Sequence, residues 1–187
     1  MPLSLVLPSL GPDKIVLGIH SLIKTVSFLH SNSFLHNNLA LQSVYVTDDG
    51  RWVLGGMEFI KSFSDMTAEF ISTVDKYIPK DSIPPEDEKS FGCIESRDHY
   101  ALGQLFSRII APFISPNYIH ATESDKMGWR ELQDFLDNMI VRNPDSRYTT
   151  KMLLEASFFK DNVLIDVVET FQGLRNIPVD IKIRMFR

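Results

Sequence analysis

The chain has 187 residues, 44% of them apolar, a formal net charge of −5 and one cysteine, Cys93. That length fits one domain with at most a short appendage, and the apolar share is too high for a disordered chain. The mild acidity argues against a nucleic-acid footprint, which needs a basic face, and a lone thiol cannot close an internal disulfide.

Met1 to Pro12 is the longest uncharged run, but Pro2 and Pro8 interrupt it and no basic residues precede it, so it fits neither a membrane span nor a signal peptide. Pro2 in place of glycine bars N-myristoylation. Ile15, Ile19, Leu22, Ile23, Val26 and Leu29 recur at helical spacing over 14–30, with Asp13 as the expected N-cap. Val44-Tyr45-Val46 and Trp52-Val53-Leu54 flank an Asp49-Gly50 turn, the pattern of a β-hairpin. Residues 55–85 lack sustained periodicity and read as a long loop with at most one short helix, a length that usually marks function. Cys93 lies outside any Cys-x-x-Cys or basic context and is expected to be inert; the absence of disulfides points to the cytosol.

Tyr100, Leu102, Leu105, Phe106, Ile109 and Ile110 predict a buried helix, and Trp129, Leu132, Phe135, Leu136, Met139 and Ile140 a second one, with Trp129 and Phe135 in the core. Thr149 or Thr150 caps a third helix through Leu154. Val163, Leu164, Val167, Val168 and Phe171 mark a fourth, whose apolar residues need burial, and Pro178 opens a fifth that runs to Arg187. The expected class is mainly α (α+β) with one small hairpin. His20, His30, His99 and His120 lack the spacing of a zinc motif, so no metal site is expected.

Six motifs add specificity. Phe34-Leu35-His36-Asn37-Asn38-Leu39-Ala40-Leu41-Gln42-Ser43 stands where a protein kinase places His-Arg-Asp-Leu-x-x-x-Asn, and Leu54-Gly55-Gly56-Met57-Glu58 follows at the spacing of Asp-Phe-Gly. Pro84-Pro85-Glu86 looks like Ala-Pro-Glu. Asp98-His99-Tyr100-Ala101-Leu102-Gly103 resembles the Asp-x-Trp-Ser-x-Gly start of the central helix of that lobe. Asn143-Pro144-Asp145-Ser146-Arg147 resembles Asp-Pro-x-x-Arg, and Ser157-Phe158-Phe159 the His-Pro-Phe-Phe close of the lobe. The chain therefore resembles the C-terminal lobe of a protein kinase, and its degenerate forms resemble the Scy-one-like pseudokinases.

The resemblance implies a kinase-like C-lobe over 1–160 and, over 161–187, the start of the helical HEAT-type extension of that family. The Gly-rich loop, strand-three lysine and helix-C glutamate of a kinase cannot be placed, so the N-lobe is expected to be absent. Phosphoryl transfer depends on positioning and electrostatics. At the catalytic aspartate stands Asn38, whose amide is no base; at the loop lysine stands Ala40; at the magnesium-binding asparagine stands Ser43; and at the Asp-Phe-Gly aspartate stands Gly56. Rescue of a metal site by Glu58 would need a remodelled loop. His36 is expected to be a core histidine, Asp98 to accept hydrogen bonds from the loop backbone, and Glu86 and Arg147 to form a buried ion pair. Taken alone, those two charges read as surface residues; Pro84-Pro85 and Asn143-Pro144 before them favour the pair.

The implied function is a catalytically inactive scaffold in intracellular membrane trafficking, with no cofactor. It would bind other proteins, cytoskeletal linkers or vesicle coats among them, in the cytoplasm or at the Golgi. Lys182, Arg184 and Arg187 could touch an acidic partner or a membrane surface, although three such charges more often form a solvated helix face. The alternatives are a divergent kinase with residual phosphotransfer through Glu58 or Ser43, and a truncated product with no function of its own.

Overall fold

Gly11 and Pro12 set the start of the long helix, because a proline at the first helical position gives up an N–H that has no helical partner anyway. The structure, a computed structural model, describes residues 1–86, 94–116, 118 and 122–175, apart from the side chains of 123–125 and 175. Cys93, His120, the helix expected from Pro178 and the cluster Lys182, Arg184 and Arg187 lie outside the described residues.

In chain order, α1 spans Leu3–Val6 and α2 Pro12–Ser31, followed by β1 (Phe34–Leu35), β2 (Val44–Val46), β3 (Trp52–Leu54) and β4 (Lys61–Ser62). Then come α3 (Ala68–Val74), α4 (Ser96–Ile114), α5 (Glu123–Met139), α6 (Thr150–Leu154), α7 (Ser157–Lys160) and α8 (Val163–Arg175). The mainly helical class, with few strands, is that of a kinase-like C-lobe.

The apolar stripe of α2 buries Ile15, Val16, Ile19, Leu22, Ile23 and Val26. Each such side chain contributes about 1.5–3 kcal/mol on burial. Opposite lie Leu102, Leu105, Phe106, Ile109 and Ile110 of α4, which also packs on α5 through Trp129, Leu132, Leu136 and Met139. Trp129 sits between Phe113 and Phe158, with ring centroids 4.9 and 5.1 Å away. Phe135 is only half-buried, edge-on to Tyr148 at 4.7 Å.

The expected hairpin pairs Val44 with Leu54 and Val46 with Trp52 in antiparallel register. A second two-stranded ladder, unseen in the sequence, pairs Phe34 with Ser62 and Leu35 with Lys61. The segment read as loop contains strand β4, the single α-helix α3 and three short 3₁₀ turns. Asp13 does not cap α2; Gly11 does, and the Asp13 carboxylate lies in the first turn, where it favours the helix dipole. Thr149 is the cap of α6, its hydroxyl accepting from Met152 N. On α8, Ile165 is the residue buried against the rest of the chain, while Val163, Val167 and Phe171 are 74%, 45% and 66% exposed. The registry of α8 is set by Ile165 and by Lys24 of α2, whose Nζ donates to Glu169 at 2.8 Å.

Gly18 allows α2 and the hairpin to meet. A Cβ there would stand 2.1 Å from Trp52 Cε2. Alanine normally improves a helix interior by about 1 kcal/mol over glycine. Gly18→Ala is expected to do the opposite, lowering stability by about 1–3 kcal/mol through overpacking, measured by urea unfolding.

Candidate functional site

The site is organised around a carboxylate that no solvent reaches. Asp98, 1% exposed, projects from the first turn of α4. Its Oδ2 accepts from the backbone N–H of His36 at 2.8 Å and its Oδ1 from that of Asn37 at 2.9 Å. His30 Nε2, at the end of α2, donates to Oδ2 at 3.0 Å. Burial alone would raise the Asp98 carboxyl; the His30 hydrogen bond, the fields of His30 and His36 and the loop N–H outweigh it and hold it below the usual carboxylate range. These contacts bend the chain after β1, where Asn37 has φ +61°. Asparagine tolerates that left-handed geometry better than most residues, and its amide donates to Phe59 O at 3.0 Å.

His36 is fully buried. Asn38 N–H donates to its Nδ1 at 3.2 Å, which leaves the proton on Nε2 to be donated to Gly55 O at 2.9 Å. Burial pushes its imidazole below the ordinary value of 6.5, against the opposing pull of Asp98, Gly55 O and Glu58.

The four degenerate positions face one another across the loop. Gly56 adopts φ +72°, and a Cβ added there would lie 2.5 Å from Asn38 Nδ2 and 3.1 Å from Ser43 Cβ. The Asn38 amide thus fills the volume into which a side chain at position 56 would project. The Ser43 hydroxyl is turned inward, donating to Ala40 O at 2.7 Å and accepting from Ala40 N at 3.1 Å. The left-handed turn at Gly56 folds Glu58 back so that its Oε1 accepts from Asn38 Nδ2 at 3.2 Å. The carboxylate therefore reaches the loop without the remodelling that its sequence position suggested, and it is exposed there.

Arg147 has all five N–H groups engaged. Two meet Glu86 Oε1 and Oε2 at 2.7 and 2.6 Å; the others go to Val141 O, Ser96 O and Arg142 O. The guanidinium also lies 5.0 Å from the centre of the Tyr100 ring. A planar fork that satisfies a carboxylate twice over suits a buried ion pair.

Sequence reasoning missed two features. One ligand-capable atom from each of His30, Glu95 and His99 lies within 4.8 Å of the others. The four-residue spacing of Glu95 and His99, one helical turn, was a legible signal; the convergence of His30, 65 positions before Glu95, was not. The second feature is a cavity of about 510 Å³ between α2, the hairpin turn and α8, lined by Lys24, Arg51, Trp52, Val168 and Glu169 among others, and by none of the four degenerate loop positions.

No protein-family model matches the chain. Over 193 aligned residues and its whole length it is 31% identical to the mouse protein associating with the carboxyl-terminal domain of ezrin, of which it spans 25%. It is 27% identical to the serine/threonine-protein kinase WNG1 of Toxoplasma gondii over 70% of the chain and 18% of that protein. It is 33% identical to cytoplasmic export protein 1 of Saccharomyces cerevisiae over 59% of the chain and 14% of that protein. The chain thus spans a quarter or less of these relatives. In fold it matches, at a TM-score of 0.58 and 19% identity, a divergent kinase lacking the glycine-rich loop that regulates membrane ultrastructure of the Toxoplasma parasitophorous vacuole, covering 90% of this chain and 50% of that one. No helix among the described residues is long and apolar enough to cross a membrane.

Two outcomes are expected. Arg147→Leu leaves Glu86 without its partner and should lower stability by about 3–5 kcal/mol, measured by chemical unfolding. Because folded His36 takes up a proton less readily than the unfolded chain, its contribution is complete above pH 6.5 and fades as pH falls below that value. His36→Gln removes this titration, so the stability gap between parent and variant should narrow as pH drops below 6.5, measured by melting across pH.

Proposed function

The chain is a homologue, over its whole length, of the ezrin-associating protein, a Scy-one-like pseudokinase, and carries a kinase-like fold; on that premise we propose that it is a catalytically inactive scaffold that binds protein partners in intracellular membrane trafficking. The observation that carries this reading is the loop itself. The Asn38 amide stands in the volume beside Gly56 where a metal-binding side chain would project, and the Ser43 hydroxyl is spent on Ala40. Magnesium needs several hard oxygen ligands in near-octahedral order, and proton removal needs a base.

On the same reading, His36, Asp98, Glu86 and Arg147 serve structure: they hold the loop and the segment around Glu86 in place after the chemistry has been lost. We read 1–160 as the lobe and 161–187 as the beginning of a helical extension. Val163, Val167 and Phe171 form an exposed apolar stripe at four-residue spacing on α8, the kind of face that stacked helical repeats cover. The partner chemistry suggested by the ezrin-associating relative is a cytoskeletal linker, acting in the cytoplasm, near the Golgi by family resemblance.

One observation favours the second reading, a divergent kinase: Glu58 meets Asn38, so one carboxylate does reach the loop. Melting with magnesium and ATP separates the two. The scaffold reading expects no magnesium-dependent shift, no label transfer to a protein substrate, and a Glu58→Gln variant that behaves like the parent. A shift that disappears in Glu58→Gln would establish the kinase reading. Calorimetric titration with the carboxyl-terminal domain of ezrin tests the partner directly, with saturable binding expected. Gly56→Asp, far from restoring a site, should lower stability by about 1–3 kcal/mol because it adds a side chain at positive φ against Asn38.

A further inference from the structure

Behind the loop, on the inner side of Asp98, two imidazoles are left unsatisfied. His30 Nδ1 and His99 Nε2 are buried and have no hydrogen-bond partner. Neither ring is near water: His30 is 7% exposed and His99 1%. Their rings meet edge to face, with centroids 5.2 Å apart. Glu95, half-buried, stands one helical turn before His99, whose N–H donates to Glu95 O at 3.1 Å, so the two side chains rise from one face of α4. One donor atom from each of the three residues falls within 4.8 Å of the others.

We propose that His30, His99 and Glu95 bind a divalent transition-metal ion of the zinc class. The donor set, two imidazoles and one carboxylate, is one that zinc takes in tetrahedral sites with water in the fourth position. We assign the metal to the unpartnered nitrogens, His30 Nδ1 and His99 Nε2. His30 is already held by its other nitrogen, which donates to Asp98 at 3.0 Å. A carboxylate that orients an imidazole from behind is the usual outer support of a ligating histidine. The nearby cations are paired, Arg147 by its bidentate bond to Glu86 and Arg97 with Asp75. Glu95 supplies the route inward, since its side chain alone of the three reaches solvent. The site is separate from the degenerate loop and serves structure: the ion would lock the end of α2 to the start of α4, across the carboxylate that holds the loop.

The test uses the full chain, stripped with a chelator and titrated with zinc by calorimetry. One equivalent of zinc and a raised melting temperature are expected, and cobalt in its place should give the visible d–d bands of a tetrahedral site. Glu95→Gln and His99→Phe should each weaken zinc binding by more than the roughly 10–100-fold that loss of an outer support costs. His99→Phe replaces an unpaired nitrogen with hydrocarbon; should it fail to fold, Glu95→Gln, at the rim, decides the matter. No stoichiometric zinc in the parent, no tetrahedral cobalt spectrum, or undiminished binding in Glu95→Gln overturns the proposal. The last result would place the ion elsewhere, for instance between His20 and Glu169.

Discussion

Three N–H groups converge on one buried carboxylate, and the loop has its shape because of it. Asp98 takes the backbone donors of two consecutive residues, His36 and Asn37, and the ring donor of His30. Buried backbone donors must find acceptors, and a chain reversing direction at Asn37 has no strand or helix to provide them. A single anion on the first turn of α4 supplies two, and the dipole of that helix favours a negative charge at its start. The ladder of β1 with β4, the left-handed residue at 37 and the hydrogen bond from His36 to Gly55 O are arranged around this point.

The loop built on that anchor is closely knit by hydrogen bonds. Its buried polar side chains find partners inside the loop or just beside it. His36 spans Asn38 N and Gly55 O, Ser43 closes on Ala40, and Asn38 reaches Glu58. Such internal saturation stabilises the turn and leaves few free lone pairs for a ligand. The cavity between α2 and α8 lies on another surface of the molecule, so a small molecule seated there would not touch the loop.

Much of this was legible in the sequence, for physical reasons that differ by element. The helices α2, α4 and α5 were visible because each buries a wide apolar stripe with the helical period. The hairpin was visible because its strands alternate and its turn carries Asp49-Gly50. The β1–β4 ladder was hidden because two-residue strands leave no periodicity, and their pairing is fixed by the loop anchored on Asp98. Which side of α8 meets the lobe was not legible because its apolar residues surround much of the helix, and only contact with α2 selects Ile165 for the interior. The degenerate positions could be read one by one from the motif, but that Asn38 and Gly56 compete for one volume, and that Glu58 folds back onto Asn38, depends on a backbone dihedral.

That competition makes a metal-binding carboxylate hard to introduce at this turn one step at a time. A carboxylate introduced at position 56 alone would meet the amide of Asn38, and an aspartate introduced at position 38 alone would find no second ligand and would face the charge of Glu58. Each single change is unfavourable in the background of the other, so the pair behaves as a one-way latch: the present occupants fit each other, and only a concerted double change would open the volume to a carboxylate.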